Sequence, residues 1–211
     1  MARKTKEEAE KTYQALLQAA ANLFIKNGIA ETTLNQIARE AGVTRGAFYW
    51  HFEDKNDVVR ALWESYAKPQ LEPLRQELVG TIQNNPVDSL RYVTSQLLDR
   101  LLHDERLGQA LRIVMHNVEL SENHTALREY LMEEHKMMIG SFTGAFEKIH
   151  AAGLLRTDRS VETIAWGYIC LMGGLVEKHF MPGTPLMLPD QGQNILDMYL
   201  DGVVMVQPDT C

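Results

Sequence analysis

Apolar residues along the 211-residue chain recur at three- and four-residue steps, the spacing that aligns one face of an α-helix. Tyr13, Leu16, Leu17, Ala20 and Phe24 trace such a stripe from about Glu7 to Asn27, and Gly28 stops it. Leu34, Ile37, Ala38 and Ala41 trace a second, short one. Thr32 or Thr33 can cap its start, because a hydroxyl accepts a bond from an orphan N–H of the first turn. Gly42 ends it where a positive φ is wanted. Thr44 caps a third helix through about His51. Asp54 caps a fourth from Lys55 to about Lys68, with Val58, Val59, Leu62, Trp63 and Tyr66 apolar. Pro69 and Pro73 then interrupt the pattern, and a domain boundary is placed here. Helical spacing returns from Pro86 through Leu102, from Leu107 through Val118, from about Asn123 to Ala152 with Gly153 behind it, and from Val161 to Phe180. After a Pro182-Gly183-Thr184-Pro185 loop, Asp190 to Val206 closes the chain. Strand-like alternation and internal repeats are absent. The expected fold is all-α with about nine helices.

The short pair hinged on Gly42 carries the chemistry. Two short helices, a tight turn containing glycine and a polar second N-terminus make a helix-turn-helix. Thr44 and Arg45 stand at the start of the second helix, and arginine is well suited to a bidentate bond with guanine edges in the major groove. Gly46 and Ala47 are small, so this helix can approach a duplex closely. Tyr49, Trp50 and His51 each offer a donor to phosphate oxygens. Lys55 follows at a helix start, where free N–H groups favour phosphate as well. Thr33, Thr44, Arg45, Gly46, Tyr49, Trp50, His51 and Lys55 are the candidate DNA contacts. Phe48 and Phe52, four residues apart, are read as core wedges behind them.

Charge restricts where nucleic acid can bind. The formal net charge is −7. Residues 1–60 hold nine Lys/Arg against eight Asp/Glu, and the remainder holds twelve against twenty. An acidic body repels nucleic acid, so only the N-terminal module is expected to face it. Arg3, Lys4 and Lys6 add a short basic arm able to reach phosphates or a minor groove. The N-terminus lacks the apolar core of a signal peptide, and no apolar run approaches a membrane span. Cys170 and Cys211, the only cysteines, form no framework. A reducing cytoplasm is the expected location.

The stretch TLNQIAREAGVTRGAFYWHF, with ARKTKEEAEKT before it and EDKNDVVRALW after it, resembles the DNA-binding signature of the TetR family of bacterial repressors. Within that family it is most similar to the AcrR-like branch, which regulates multidrug efflux pumps. The resemblance is strong over roughly the first 65 residues and weak beyond them. It implies a DNA-binding domain over 1–54, a connecting helix over 55–68, and a ligand-binding and dimerisation domain over 69–211. It also implies that the last two long helices pair with those of a second copy. Ile164, Tyr168, Leu171, Leu175, Ile195, Tyr199 and Val203 are the dimer candidates, with Gly167, Gly173 and Gly174 allowing close approach. Two departures matter. Tyr13 stands where family members often have arginine, and Ala67 where related repressors often carry a carboxylate, which argues against a preference for cations.

An effector of such a protein is expected to be an apolar small molecule, held by flexible methionine and aromatic side chains. The candidate lining is Trp63, Tyr66, Met115, Met137, Met138, Phe142, Phe146 and Met172, with Glu119 able to meet a cation; core packing explains any one of them as well. Binding beside Trp63 would tilt the Lys55–Lys68 helix and move the reading head. No cofactor is called for. Two other classes stay open. Glu147-x-x-His150 has the spacing of half a di-iron site in a helix bundle, and His116-x-x-Glu119 is its reverse, but a complete ligand set is missing. An architectural DNA-binding protein without a ligand would want a basic body, and this body is acidic.

Overall fold

The computed structural model describes residues 6–80, 85–116, 125–156, 158–181, 183 and 188–205. Among them are ten α-helical segments: α1 (Lys6–Asn27), α2 (Leu34–Glu40), α3 (Arg45–His51), α4 (Lys55–Leu62), α5 (Lys68–Val79), α6 (Pro86–His103), α7 (Glu105–His116), α8 (Thr125–Ala151), α9 (Val161–Phe180) and α10 (Gln193–Val203). A π-helical turn, Trp63–Ala67, joins α4 to α5 without a break, and a second, Leu188–Gly192, leads into α10. Counting α4, its π-turn and α5 as one uninterrupted helical stretch of the chain gives the nine expected. The only β pairing among the described residues is an isolated bridge between Leu155 and Val204. No helix of the described residues is long and apolar enough to cross a membrane.

The two prolines do not end the fourth helix. Inside the π-turn the Lys68 N–H reaches back five residues to the Trp63 carbonyl, so the regular ladder is already interrupted where Pro69 lacks its N–H. Pro73 lies inside α5 on an exposed position. A carbonyl it leaves unbonded can turn to water there. The helix therefore runs on to Val79.

The chain divides into two compact units, Met1–Pro69 with Glu105–Tyr130, and Gln70–Asp104 with Leu131–Cys211. In the first unit α1 packs against α2, α3, α4 and α7, and α7 packs closely on the π-turn. Leu16, Leu17, Phe24, Ile37, Phe48, Val58, Leu107 and Ile113 are fully buried. Nothing in the apolar spacing of Leu107 to Val118 distinguishes a helix of the first unit from one of the second.

The second unit is built around Tyr168 of α9, which is fully buried. Its ring meets Phe146 at 5.5 Å, Tyr199 at 5.8 Å and Phe142 at 6.3 Å. Its hydroxyl donates to Thr94 Oγ1 at 3.1 Å, and burial pushes its pKa far above the ordinary phenol value. Arg91 on α6 pairs with both Asp197 and Asp201 of α10. Lys148 gathers the carbonyls of Leu78, Val79 and Gly80 at 3.0, 2.7 and 2.6 Å, closing the C-terminus of α5.

Candidate nucleic-acid interface

The outer face of α3 is assembled from local rules. Thr33 caps α2: its hydroxyl accepts from the Gln36 N–H at 3.2 Å, and Gln36 Oε1 accepts from the Thr33 N–H at 2.7 Å. This reciprocal box satisfies two orphan donors. Thr32 does other work; it is fully buried and donates to the Gly28 carbonyl at 2.7 Å. At the far end Gly42 takes φ +68°. Its N–H reaches the Arg39 carbonyl, and the Val43 N–H reaches that of Ala38. That pairing is a Schellman ending, and an L side chain would be strained there. Thr44 starts α3 directly afterwards, its hydroxyl accepting from the Ala47 N–H at 3.2 Å. Thr33→Ala should lower stability by ~1 kcal/mol, read as a lower denaturant midpoint with unchanged slope. An unchanged midpoint would show that the box contributes nothing.

Behind the turn, Phe48 and Phe52 are buried, and their rings lie 5.6 Å apart. Tyr13 of α1 stacks on Phe52 at 5.3 Å. That contact explains an aromatic residue at this position: it is a brace for the head. In front, Thr44, Arg45, Gly46, Tyr49 and Trp50 are all exposed, Trp50 by 73%. Arg45 Nη2 donates to Tyr49 Oη at 3.0 Å, and its guanidinium carbon lies 5.3 Å from the Tyr49 ring centre. His51 is half-buried between Trp50 at 4.6 Å and Tyr13 at 5.8 Å.

Lys55 is placed differently from the expectation. Its ammonium donates to the carbonyls of Ile29 at 2.6 Å and Ala30 at 3.0 Å, just beyond the end of α1. Two of its three protons are thus committed inside the head, and it anchors α4 to the α1–α2 turn before it meets anything else. Lys6 is the one member of the basic arm within the described residues; Arg3 and Lys4 lie outside them.

The candidate effector residues separate. Trp63 and Tyr66 belong to the π-turn of the first unit; Tyr66 is 2% exposed and Trp63 half-buried. Met115 stands on α7 of the same unit, 42% exposed. In the second unit Phe142, Phe146 and Met172 are buried. The two phenylalanines pack on Tyr168 in the core of that unit. Met137 and Met138 are half-buried on α8, and Glu119 lies outside the described residues. A cleft of about 180 Å³ in the second unit is lined by Asp88, Arg91, Leu154, Asp201 and their neighbours, and by none of the expected residues.

The dimer candidates need a similar correction. Ile164, Tyr168 and Leu175 face the chain's own core. The helix is apolar on nearly every side, so periodicity alone misassigns its faces. Its outward stripe has Trp166, Cys170 and Gly173 exposed, with Ile169 and Val176 half-buried beside them, and Met198 of α10 is 71% exposed. Leu171, Ile195, Tyr199 and Val203 are half-buried. Gly167 serves the chain internally: a Cβ there would lie 2.3 Å from Tyr199 Oη, which donates to the Ile164 carbonyl at 2.7 Å. Glu147 and His150 are both exposed, and no group of three or more potential metal ligands forms among the described residues.

Comparison with known proteins adds the relationship. Residues 16–62 match the family described as bacterial regulatory proteins, tetR family. The HTH-type transcriptional regulator AcrR of Shigella flexneri is 31% identical, over 95% of this chain and 94% of that protein. Among solved structures, NalD, the secondary repressor of the MexAB-OprM multidrug efflux pump in Pseudomonas aeruginosa, is 28% identical with a TM-score of 0.83, covering 96% of this chain and all of that one. A complex of triclosan with SmeT, the repressor of the Stenotrophomonas maltophilia efflux pump SmeDEF, is 28% identical with a TM-score of 0.77 over 94% and 96%.

Proposed function

The chain belongs to the tetR family of bacterial regulatory proteins, and from that premise we infer that it is a transcriptional repressor. It binds a pseudo-palindromic operator as a homodimer and leaves it when an apolar small molecule binds. The regulated genes are those of a multidrug efflux pump, as for NalD and SmeT. It is a regulator and not an enzyme.

The observation that carries this reading is the exposed face of α3. Trp50 is 73% exposed, and a large aromatic side chain standing free on a small head calls for a binding surface. Gly46 supports it. A Cβ there would meet nothing closer than Thr44 Oγ1 at 3.9 Å. The chain itself has no need of glycine at 46, and glycine inside a helix costs roughly 0.5–1 kcal/mol relative to alanine. The missing side chain is explained by a surface that comes close from outside, such as the floor of a major groove.

The outward stripe of α9 and the exposed Met198 support two-fold pairing. One short helix reads few bases, and two heads reading half-sites ~34–36 Å apart double the contacts. Release is transmitted along one element of the first unit. α4 begins at Lys55, tied to the turn that leads into α2, and runs straight into the π-turn bearing Trp63 and Tyr66. A ligand that prefers one setting of that helix by ~1–3 kcal/mol would change DNA affinity roughly 5–150-fold.

The test is selection of bound duplexes from a genomic fragment library at moderate salt. Enrichment of a pseudo-palindrome beside a transporter operon is expected. A protein that enriches no sequence is not a repressor of this kind.

A further inference from the structure

The π-turn holds polar chemistry that the core does not use. Buried polar atoms nearly always find partners, and one left without carries its full desolvation penalty. Among the described residues, Trp63 Nε1 and Tyr66 Oη are both buried with no hydrogen-bond partner. They sit three residues apart in one turn, packed against α7. An indole N–H can only donate. The Tyr66 phenol keeps its proton, because burial raises its pKa and the nearby Arg106 charge does not reverse that. The first unit therefore buries two unspent donors.

The surrounding charge has a sign. The Arg106 guanidinium, from the first turn of α7, lies 5.2 Å from the Tyr66 ring centre. Arg60 and Lys68 lie 4.5 and 5.9 Å from the ring of Tyr130 in the same unit. Glu64 accepts from Arg60 at 3.1 Å, so the charges of that pair offset each other. Glu105 accepts from the neutral Gln109 amide at 3.2 Å and keeps its own; the charge acting on Tyr66 is that of Arg106. Ala67, the next residue in the chain after Tyr66, is fully buried and adds no carboxylate.

We propose that Trp63, Tyr66 and Arg106 form the polar end of an effector site for small aromatic anions, carboxylates or phenolates. The anionic oxygen accepts from Trp63 Nε1 and Tyr66 Oη, and Arg106 supplies the countercharge at the exposed rim. A cation of the same shape meets an indole N–H that can only donate and a guanidinium that repels it, and of the three groups only the Tyr66 oxygen can accept from it. This rests on the reading of the chain as an effector-released repressor, and it specifies which effectors.

The probes are 2-naphthoate and 2-naphthylmethylammonium, one ring system with opposite charges, titrated into the full-length protein. The readout is the set of indole N–H resonances of the three tryptophans, with Trp63 assigned by Trp63→Phe. Naphthoate should shift the Trp63 resonance saturably and leave Trp50 and Trp166 in place, and the ammonium should bind at least tenfold more weakly. Tyr66→Phe and Arg106→Gln, which keep ring and chain volume, should each weaken naphthoate about tenfold, the usual scale for a hydrogen bond to a charged group. Equal or tighter binding of the ammonium would overturn the proposal. So would an unmoved Trp63 resonance, or unchanged naphthoate affinity in both variants. Operator affinity without probe is measured alongside. Intact operator binding with inert naphthoate defeats only the effector class, whereas absent operator binding defeats the repressor reading itself.

Discussion

Arg45→Ala should leave a dimer that binds its operator little better than random duplex. The side chain is exposed at the first position of α3 and already directed, since Tyr49 Oη holds Nη2 at 3.0 Å. A guanidinium held in advance loses less freedom on docking against two guanine acceptors. A bidentate base contact discriminates by ~1–3 kcal/mol, so two half-sites together would lose about 2–6 kcal/mol. Titrations of wild type and variant against operator and scrambled duplex, at matched salt, measure the difference. If affinity for both duplexes falls equally and the salt slope drops by about one, Arg45 holds a phosphate and the base-reading assignment is wrong.

Phe48→Ala should be the most damaging substitution in the head. The ring is fully buried, 5.6 Å from Phe52 and 5.7 Å from Tyr49. Deleting it removes the wedge on which the exposed face of α3 is mounted. Loss of a buried phenylalanine costs ~3–5 kcal/mol, including the cavity left behind. Hydrogen exchange resolves the effect by location: amides of α2 and α3 should lose protection by that amount, and those around Tyr168 should keep theirs. A loss below ~1 kcal/mol would mean the head refills the space and Phe48 is not its keystone.

The reading head was legible because its signals are local. Thr33, Gly42, Thr44 and Asp54 each satisfy or redirect backbone groups within a few residues of themselves, so their roles follow from neighbours in the chain. The all-α class was legible for the same reason. What failed needs partners distant in sequence. The stripes of α9 could not say which side meets Thr94 and Phe146 and which stays outside, because Ile164, Tyr168, Trp166 and Ile169 are all apolar. Phe142 and Phe146 looked equally suited to a pocket or a core until Tyr168 was found between them and α6. The prolines misled because a π-turn has no recognisable apolar period; it shows only in the Lys68 to Trp63 bond. Lys55 looked free because the carbonyls it holds, 25 and 26 residues earlier, carry no side-chain signal.

The interleaving of the two units sets an order for synthesis. A ribosome that has just delivered Pro69 has made α1 to α4 and the π-turn, but not α7, whose Leu107, Ala110 and Ile113 are buried among them. The head cannot close as its helices emerge, as a contiguous N-terminal domain would. It must wait, partly uncovered, while α5 and α6 of the other unit pass by. A fragment cut at the apparent boundary would keep every DNA-facing residue and still expose the seat of α7. Transplanting this reading head onto another body therefore requires two grafts, Met1–Pro69 and Glu105–Tyr130, carried together.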